Sequence, residues 1–418
     1  MKKIKILTIS DHPLSPSGVG TQTRYVMEAL LNTNMFQIVS LAGAIKHNDY
    51  TPAKTEEYGD DWVIMPVDGY GNQGIIRSCI REHKPDMLWF MTDPRFYSWL
   101  WAIENEIRPH MPMIYYHVWD NKPYPTFNKS YYDSNDVIVT ISKVTNDIVK
   151  NVSPDVHLEH IGHSVDTDIF KKCSDVEVTK FRNNSIKEKD RDKFVFFWNN
   201  RNARRKQSGS LIYWFKDFLD IVGEDKAMLI MHTDPKDPNG QDLHAIIQEL
   251  NLTTGQVLFS ENKYPLNILA LMYNIADCTI NISDAEGFGL ATLESLSCET
   301  PIIVNMTGGL QEQVTDGENW FGIGLEPTSR AIIGSQEVPW IYEDRLSKEV
   351  VVEALLKMYN MSNEERVKLG KAGREHVMKN YNFEHFQKSW VDLALQIREK
   401  YGSWKARKNY SSWTIQEV

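Results

Sequence analysis

The feature that most constrains the fold is an alternation of short apolar runs with helix-length segments, which continues through most of the chain. A first series of apolar runs covers residues 4–10, 37–43, 62–67, 87–91, 113–118 and 136–142. A second series covers residues 193–200, 227–233, 256–262, 277–283 and 301–306. Turn residues bound the runs, and such runs separated by helical segments are typical of parallel sheets covered by helices on both faces. The pattern therefore predicts an α/β protein with two doubly wound domains in tandem.

The boundary between the two series lies in the polar segment HIGHSVDTDIFKKCSDVEV, which shows no clear periodicity. We interpret this segment as the linker and predict domains over residues 1–172 and 173–379. In doubly wound sheets, ligands bind at the carboxyl ends of the strands. The expected location of a site is therefore the cleft between the two domains.

Composition narrows the class of protein. The 418 residues are 42% hydrophobic and 24% charged, with a formal net charge of −10, which disfavours a surface that grips nucleic acid or anionic lipid throughout. No apolar run approaches the 18 or so residues that a transmembrane helix needs. The start MKKIKILTISDHP resembles a first β-strand more than a signal peptide. The four cysteines lack C-x-x-C spacing, so we expect reduced thiols and a cytoplasmic protein.

Two glutamates in the second series, Glu286 and Glu294, have seven residues between them. The surrounding sequence reads as strand (CTINIS), loop (DAEGFG) and helix (LATLESLSC), so Glu286 follows a strand and Glu294 lies about one turn into a helix. Gly287 and Gly289, on either side of Phe288, allow the backbone to approach a ligand closely and to donate amide hydrogens. Taken singly, a loop acid and a solvated helix acid are an equally good interpretation.

A basic loop, NNRNARRKQ, follows the first apolar run of the second series. It places Arg201 and Lys206 five residues apart, with Arg204 and Arg205 as weaker candidates. Alone, such a loop is more often a solvated surface. Its position after a buried strand favours a binding site instead.

The first strand is followed by the sequence SPSGVGTQTRYVMEAL, which contains Gly18 and Gly20. Thr23 occupies the place of the third glycine of a dinucleotide fingerprint, so NAD binding is disfavoured. A flexible backbone that approaches a phosphate or a sugar is the better interpretation.

These motifs, together with YYHVW and HIGHSVDTDIF, resemble those of the retaining glycosyltransferases of family 4 and occur in the same order. The resemblance covers nearly the whole chain. It implies the GT-B fold, in which two Rossmann-like domains face each other across a cleft. It also implies an N-terminal acceptor domain and a C-terminal donor domain for a nucleotide sugar, with the helix and tail of residues 380–418 returning to the first domain.

The resemblance also implies a role for each candidate residue. Arg201 and Lys206 would clamp the diphosphate, whose charge grows as the bond to the sugar breaks. Glu286, helped by the amides of the following Gly-Phe-Gly, would bind hydroxyls of the transferred sugar, and Glu294 would bind the ribose. Carboxylates suit vicinal diols because they accept two hydrogen bonds. His117 would face the sugar, and the departing phosphate, not a glutamate, would help to deprotonate the acceptor.

The resemblance leaves the donor open among UDP-, GDP- and ADP-sugars, and the acceptor open among glycans, lipids and small molecules. Asp166 and Asp168, in the string VDTD, form an Asp-x-Asp pair that we interpret as structural. We therefore expect no catalytic metal and no cofactor. His12, also at the end of a strand, is a weaker candidate than His117, and the candidates for the acceptor side are Asp93, Trp119 and Asp120.

Two alternatives stay open. The same chemistry on a hydroxylated DNA base would give the basic aromatic tail a role in binding nucleic acid. The tail residues concerned are Lys400, Trp404, Lys405, Arg407, Lys408 and Tyr410. The other alternative is a non-catalytic module that binds a nucleotide sugar, although the presence of all four motif residues (Arg201, Lys206, Glu286 and Glu294) disfavours a decayed site.

Overall fold

The computed structural model describes residues 2–412, which form two compact units. The first unit contains residues 2–163, 334–339 and 384–412, and the second contains residues 164–333 and 340–383. Each unit has its own parallel sheet, as the two series of apolar runs predict.

The first unit contains an eight-stranded sheet with the strand order β3-β4-β2-β1-β5-β6-β7-β8, in which only the short β3 pairs antiparallel. Its strands are β1 (Ile4–Asp11), β2 (Phe36–Gly43), β3 (Ala53–Lys54), β4 (Trp62–Pro66), β5 (Met87–Thr92), β6 (Met113–His117), β7 (Val137–Thr140) and β8 (His157–His160). Its helices are α1 (Gly18–Leu31), α2 (Gln73–His83), α3 (Ser98–Trp101), α4 (Glu104–Ile107), α5 (Lys129–Asp133) and α6 (Lys143–Val152). Every residue of β5, β6 and β7 is buried, which explains why these strands read as continuous apolar runs.

The second unit contains a six-stranded parallel sheet with the order β11-β10-β9-β12-β13-β14 and a separate hairpin, β15-β16. Its strands are β9 (Phe194–Asn199), β10 (Ala227–His232), β11 (Val257–Ser260), β12 (Cys278–Asn281), β13 (Ile302–Asn305), β14 (Gly322–Leu325), β15 (Ser329–Ile333) and β16 (Ile341–Arg345). Its helices are α7 (Asp175–Ser185), α8 (Ser208–Val222), α9 (Leu243–Glu249), α10 (Leu266–Ile275), α11 (Leu290–Ser297), α12 (Gln311–Val314), α13 (Lys348–Asn360) and α14 (Asn363–Asn380). Buried aromatic and aliphatic side chains of β9, β10, α8 and α13 contribute to its core.

The last elements are helix α15 (Phe383–Tyr401) and the short hairpin of β17 (Gly402–Ser403) and β18 (Ala406–Arg407). The Trp390 ring of α15 packs edge-on against Trp89 and Tyr116 of the first unit, with centroids 6.0 and 4.8 Å away. The Tyr401 hydroxyl donates to the carbonyl of Asp136 at 3.1 Å. The predicted return of the C-terminal helix to the first domain is confirmed.

The order of the parallel strands reverses once in each sheet. In the first sheet the reversal falls between β1 and β5, and in the second it falls between β9 and β12. Loops that leave the carboxyl ends of two strands diverge at such a point and open a crevice, which is where doubly wound sheets bind their ligands. The loop after β9 carries Arg201 and Lys206, and the loop after β12 carries Glu286.

All eleven predicted apolar runs contain a strand, but the sequence analysis missed β3, β8, β14 and the hairpins β15-β16 and β17-β18. It also assigned the residues up to Val178 to a linker, whereas helix α7 begins at Asp175. Ser174 and Glu177 form a capping box at its start, and no residue of α7 is buried, so the helix has no apolar periodicity to reveal it. Among residues 2–412, no helix is long and apolar enough to cross a membrane.

Candidate active site

The loop after β9 and the loop after β12 are joined by hydrogen bonds at the switch point of the second sheet. The two strands are neighbours, with Phe197 opposite Thr279. The backbone amide of Asp284 donates to the carbonyl of Arg205 at 2.8 Å, and the Arg205 guanidinium donates to the carbonyl of Ala285. The basic loop is therefore held directly against the segment that carries Glu286.

Lys206 and Glu286 form an ion pair between these two loops. The Lys206 ammonium donates to Oε2 of Glu286, and the two side chains are only 9% and 13% exposed. The Arg205 guanidinium lies 3.8 Å from the same oxygen. Burial would raise the pKa of Glu286, but the charges of Lys206 and Arg205 lower it below its ordinary value. Glu286 is therefore an ionised carboxylate at neutral pH.

The other arginines of the basic loop have different partners. Arg201 is 63% exposed and forms a bidentate pair with Asp237, with distances of 2.6 and 3.1 Å, and its hydrogen bond lowers the pKa of Asp237 to about 2. Arg204 forms a bidentate pair with the buried Glu343 of β16. Of the two predicted phosphate-binding residues, the structure brings Lys206 to Glu286, whereas Arg201 lies on the same loop beside Asp237. Arg205, ranked lower from sequence, is the arginine close to Glu286.

The loop of Glu286 rests on a second glycine pair, which the sequence analysis missed. The amide of Gly309 donates to the carbonyl of Glu286 at 2.9 Å. A Cβ on Gly308, where φ is +49°, would lie 1.9 Å from that carbonyl oxygen. Gly289 also has a positive φ of +92°, and Phe288 packs edge-on against Tyr381. The signal in the sequence is the pair Gly308 and Gly309, which follows a predicted strand as the other two loops do.

Glu294 lies on α11, about one turn from its start as predicted, and it is partly buried. The hydroxyl of Tyr273 donates to Oε2 of Glu294 at 2.6 Å. Burial raises the pKa of Glu294 to about 7, and the hydrogen bond from Tyr273 partly offsets that rise. Glu294 therefore titrates in the physiological range, unlike Glu286.

His117 is the last residue of β6 in the first unit and is fully buried. Its Nε2 lies 2.8 Å from the hydroxyl of Tyr132, and its Nδ1 has no hydrogen-bond partner within residues 2–412. Burial lowers the pKa of His117 to about 3, so the imidazole is neutral. A buried polar atom without a partner is rare in native proteins and is consistent with a group that a ligand satisfies.

The two glycines after β1 lie in the first turn of α1, not in a loop as the sequence analysis expected. Ser17 caps this helix by accepting from the amide of Gly20. A Cβ on Gly20 would lie 2.5 Å from Oγ of Ser15 and 2.7 Å from the carbonyl oxygen of His12, so Gly20 is needed for close packing. Gly18 is the first residue of the helix.

The weaker candidates in the first unit are engaged locally. Asp93 accepts from the amide of Arg95 and pairs with its guanidinium at 2.9 Å. Trp119 is buried, and its indole N–H donates to the carbonyl of Asn121 at 2.8 Å. Asp120 is half-buried. Burial and the neighbouring His47 lower the pKa of His12.

The Asp-x-Asp string forms a local turn. Oδ1 of Asp166 accepts from the amides of Asp168 and Ile169, at 3.0 and 3.2 Å. Among residues 2–412, no group of three or more His, Cys, Asp or Glu side chains is arranged to hold a metal ion.

Two side chains of the basic aromatic tail pack on the first unit. Trp404 stacks on His110 with centroids 4.7 Å apart, and Arg407 pairs with Asp136 at 2.6 Å. These contacts give both residues a structural role. Residues 413–418 of the tail lie outside the described part of the chain.

Two Rossmann-like units, each built on a parallel sheet with one switch point, define the class of the protein as a GT-B fold. Solved structures confirm the fold. Sucrose-phosphate synthase from Thermosynechococcus elongatus has a TM-score of 0.74 at 16% identity, covering 95% of this chain and 100% of that one. Anabaena Alr3699/HepE in complex with UDP and glucose has a TM-score of 0.68 at 13% identity, covering 94% and 100%.

Residues 180–376 match the family model for glycosyl transferases group 1, and this part of the chain belongs to that family. A D-inositol 3-phosphate glycosyltransferase from Thermomonospora curvata is 40% identical over 70 residues, which are 16% of each chain. An N-acetyl-alpha-D-glucosaminyl L-malate synthase from Bacillus anthracis is 20% identical over 236 residues, 56% of this chain and 58% of that one. The similarity in sequence therefore covers less than two thirds of either curated relative.

Proposed function

We propose that this protein is a retaining glycosyltransferase that moves a sugar from a nucleotide-diphosphate sugar to an acceptor hydroxyl without a metal ion. The observation that carries the proposal is the Lys206–Glu286 pair at the switch point of the second sheet. It places a nearly buried ammonium and a nearly buried carboxylate on adjacent loops. A sugar diphosphate has one group for each of them, an anion for the lysine and hydroxyls for the glutamate.

In the proposed reaction the acceptor oxygen forms a bond to the anomeric carbon as the bond from that carbon to the diphosphate breaks. Both events occur on the same face of the sugar, and the acceptor proton passes to an oxygen of the departing diphosphate. Lys206 stabilises the charge that accumulates on this leaving group, and Arg201 or Arg205 adds a second cation. Glu286 holds hydroxyls of the sugar and favours the positive charge that develops at its anomeric carbon.

The remaining residues fit the same assignment. Glu294 would accept hydrogen bonds from the ribose hydroxyls. The neutral imidazole of His117 can donate one hydrogen bond or accept one, which suits a sugar hydroxyl better than a phosphate. Transfer without metal is proposed because the cations of the basic loop can take the place of a divalent ion at the diphosphate.

UDP-sugars are the first donors to test, because the HepE neighbour is described in complex with UDP and glucose. The names of the two curated relatives carry D-inositol 3-phosphate and L-malate, so small hydroxylated anions are the first acceptors to test. GDP- and ADP-sugars, glycans and lipids complete the panel.

The test combines binding with product analysis. A donor that binds the folded state should raise the melting temperature, and incubation with donor and acceptor should yield a product with the donor's anomeric configuration by NMR. Lys206→Ala should lower this turnover about a hundredfold or more, whereas the control Lys216→Ala should not, because Lys216 pairs with Asp220 on helix α8. Folded protein that binds no donor would refute the proposal, and an inverted product would refute the retaining mechanism.

The same experiments address the alternatives. A donor that binds without transfer or hydrolysis with any acceptor would favour the non-catalytic module. A gel shift with duplex DNA at low salt, followed by sugar transfer to hydroxylated bases, would favour the DNA acceptor.

A further inference from the structure

Tyr273 connects the end of β9 to Glu294 through two hydrogen bonds. Its hydroxyl donates to Oε2 of Glu294 at 2.6 Å and accepts from the side-chain amide of Asn199 at 2.8 Å. The three residues come from α10, α11 and the last position of β9. They are therefore distant in sequence and meet only in the folded unit.

The position of the Tyr273 hydroxyl is fixed by its surroundings. The side chain is fully buried, and its ring packs edge-on against Phe197 and Phe170, with centroids 5.1 and 6.1 Å away. Its carbonyl accepts from the hydroxyl of Thr300 at 2.8 Å. A ring held on several sides has little freedom to reorient, so the oxygen stays at one point relative to Glu294.

The hydrogen bonds also fix the direction of the tyrosine proton. A phenol has one hydrogen to donate, and the atom of Asn199 that faces it is the nitrogen Nδ2, which can only donate. Because the Tyr273 oxygen accepts from Asn199, its own hydrogen points at Glu294. This contact occupies one side of Oε2, which orients the carboxylate and leaves its other lone pairs for a ligand.

From this arrangement we infer that Tyr273, supported by Asn199, is a positioning residue that orients the carboxylate of Glu294 for the ribose of the nucleotide donor. The inference rests on the proposed function, since it names the residues that prepare the nucleotide half of that site. Neither residue stands out in the sequence, and neither would touch the reacting atoms.

The test is Tyr273→Phe, which removes the hydroxyl and keeps the ring. We expect the dissociation constant of the intact donor to rise about tenfold, the scale of one hydrogen bond to a charged group, with kcat nearly unchanged. The pH at which binding is half-maximal should move upward, because the lost hydrogen bond favours the ionised carboxylate. Asn199→Ala should change both values in the same direction and by less. Tyr359→Phe is the matched control, because Tyr359 is partly buried and packs against the core of the same unit.

A double-mutant cycle separates positioning from a loss of packing. In a Glu294→Gln background, Tyr273→Phe should weaken donor binding little further, because the group that it orients is already altered. Additive losses, or wild-type affinity and an unchanged pH midpoint in Tyr273→Phe, would overturn the inference. If Tyr273→Phe does not fold, the same double-mutant cycle with Asn199→Ala in its place tests the inference. Failure of the wild-type protein to bind any donor would instead refute the proposed function.

Discussion

Donor affinity should depend on pH through Glu294. The pKa of this carboxyl is raised to about 7 by burial, and the carboxylate is the form that accepts hydrogen bonds from both ribose hydroxyls. Affinity should therefore rise with pH as the carboxyl ionises. With a pKa of about 7, roughly a tenth of the protein is competent at pH 6 and roughly nine tenths at pH 8, which predicts about a tenfold tighter apparent dissociation constant at pH 8.

The assay is calorimetric titration from pH 5.5 to 8.5 with an intact nucleotide sugar. The free nucleotide diphosphate is unsuitable, because its terminal phosphate titrates in the same range. Glu294→Gln keeps the shape of the side chain and cannot ionise, so its affinity should be weaker and nearly independent of pH. A wild-type affinity that is flat across this range, or a pH dependence that persists in Glu294→Gln, would refute the reasoning.

The raised pKa of Glu294 should also make the stability of the free protein depend on pH. A carboxyl whose pKa is raised on folding favours the folded state below its unfolded value of 4.5, and this contribution is lost as the pH rises through about 7. The loss amounts to at most about 3 kcal/mol. Urea denaturation should therefore show that Glu294→Gln gains stability relative to the wild type between pH 5 and pH 8, and a constant difference would contradict the assignment.

Three further predictions concern the rest of the second unit. Lys206→Ala should lower kcat by about a hundredfold or more, the scale of other fixed groups that stabilise a transition state. Glu286→Gln should also lower kcat but leave the affinity for nucleotide diphosphate nearly unchanged. Equal loss of that affinity in Glu286→Gln and Glu294→Gln would contradict the division of roles between the two glutamates. Gly308→Ala should lower the melting temperature far more than Gly59→Ala. The angle φ is +49° at both positions, but of these two only Gly308 would bring the new Cβ against another atom, the carbonyl oxygen of Glu286. Similar losses in the two variants would show that the backbone conformation alone matters. EDTA should leave transfer intact, and a loss that Mg²⁺ or Mn²⁺ restores would show that the reaction needs a metal.

The sequence was sufficient to predict most strands of the two sheets, because the central strands are buried on both faces. Runs such as FVFFWNN and MIYYHV are typical of central strands, and the order of the motifs placed Lys206 and Glu286 on loops after strands. The missed elements lack that signal. β8 is the polar sequence HLEH at the edge of its sheet, and α7 buries none of its residues.

The contacts within the site could not be predicted from the sequence. Arg201, Arg204 and Arg205 are chemically alike, and their different partners follow from the turn at Arg204–Lys206 and from acids that lie 36 to 139 residues away. Tyr273 is one of 18 tyrosines, and nothing in its neighbourhood along the chain connects it with Glu294. Sequence identifies which chemical groups are available, whereas only the packing decides which of them meet.

The Lys206–Glu286 pair shows how one arrangement can serve both the free and the donor-bound protein. An unpaired charge at this depth would be costly, so the free protein keeps both charges by pairing them. A nucleotide sugar brings an anionic diphosphate and neutral hydroxyls, and these can replace the partner of each residue without leaving either charge unpaired. The ion pair is therefore best understood as the resting state of the donor site, in which each residue holds the other until the donor provides a substitute.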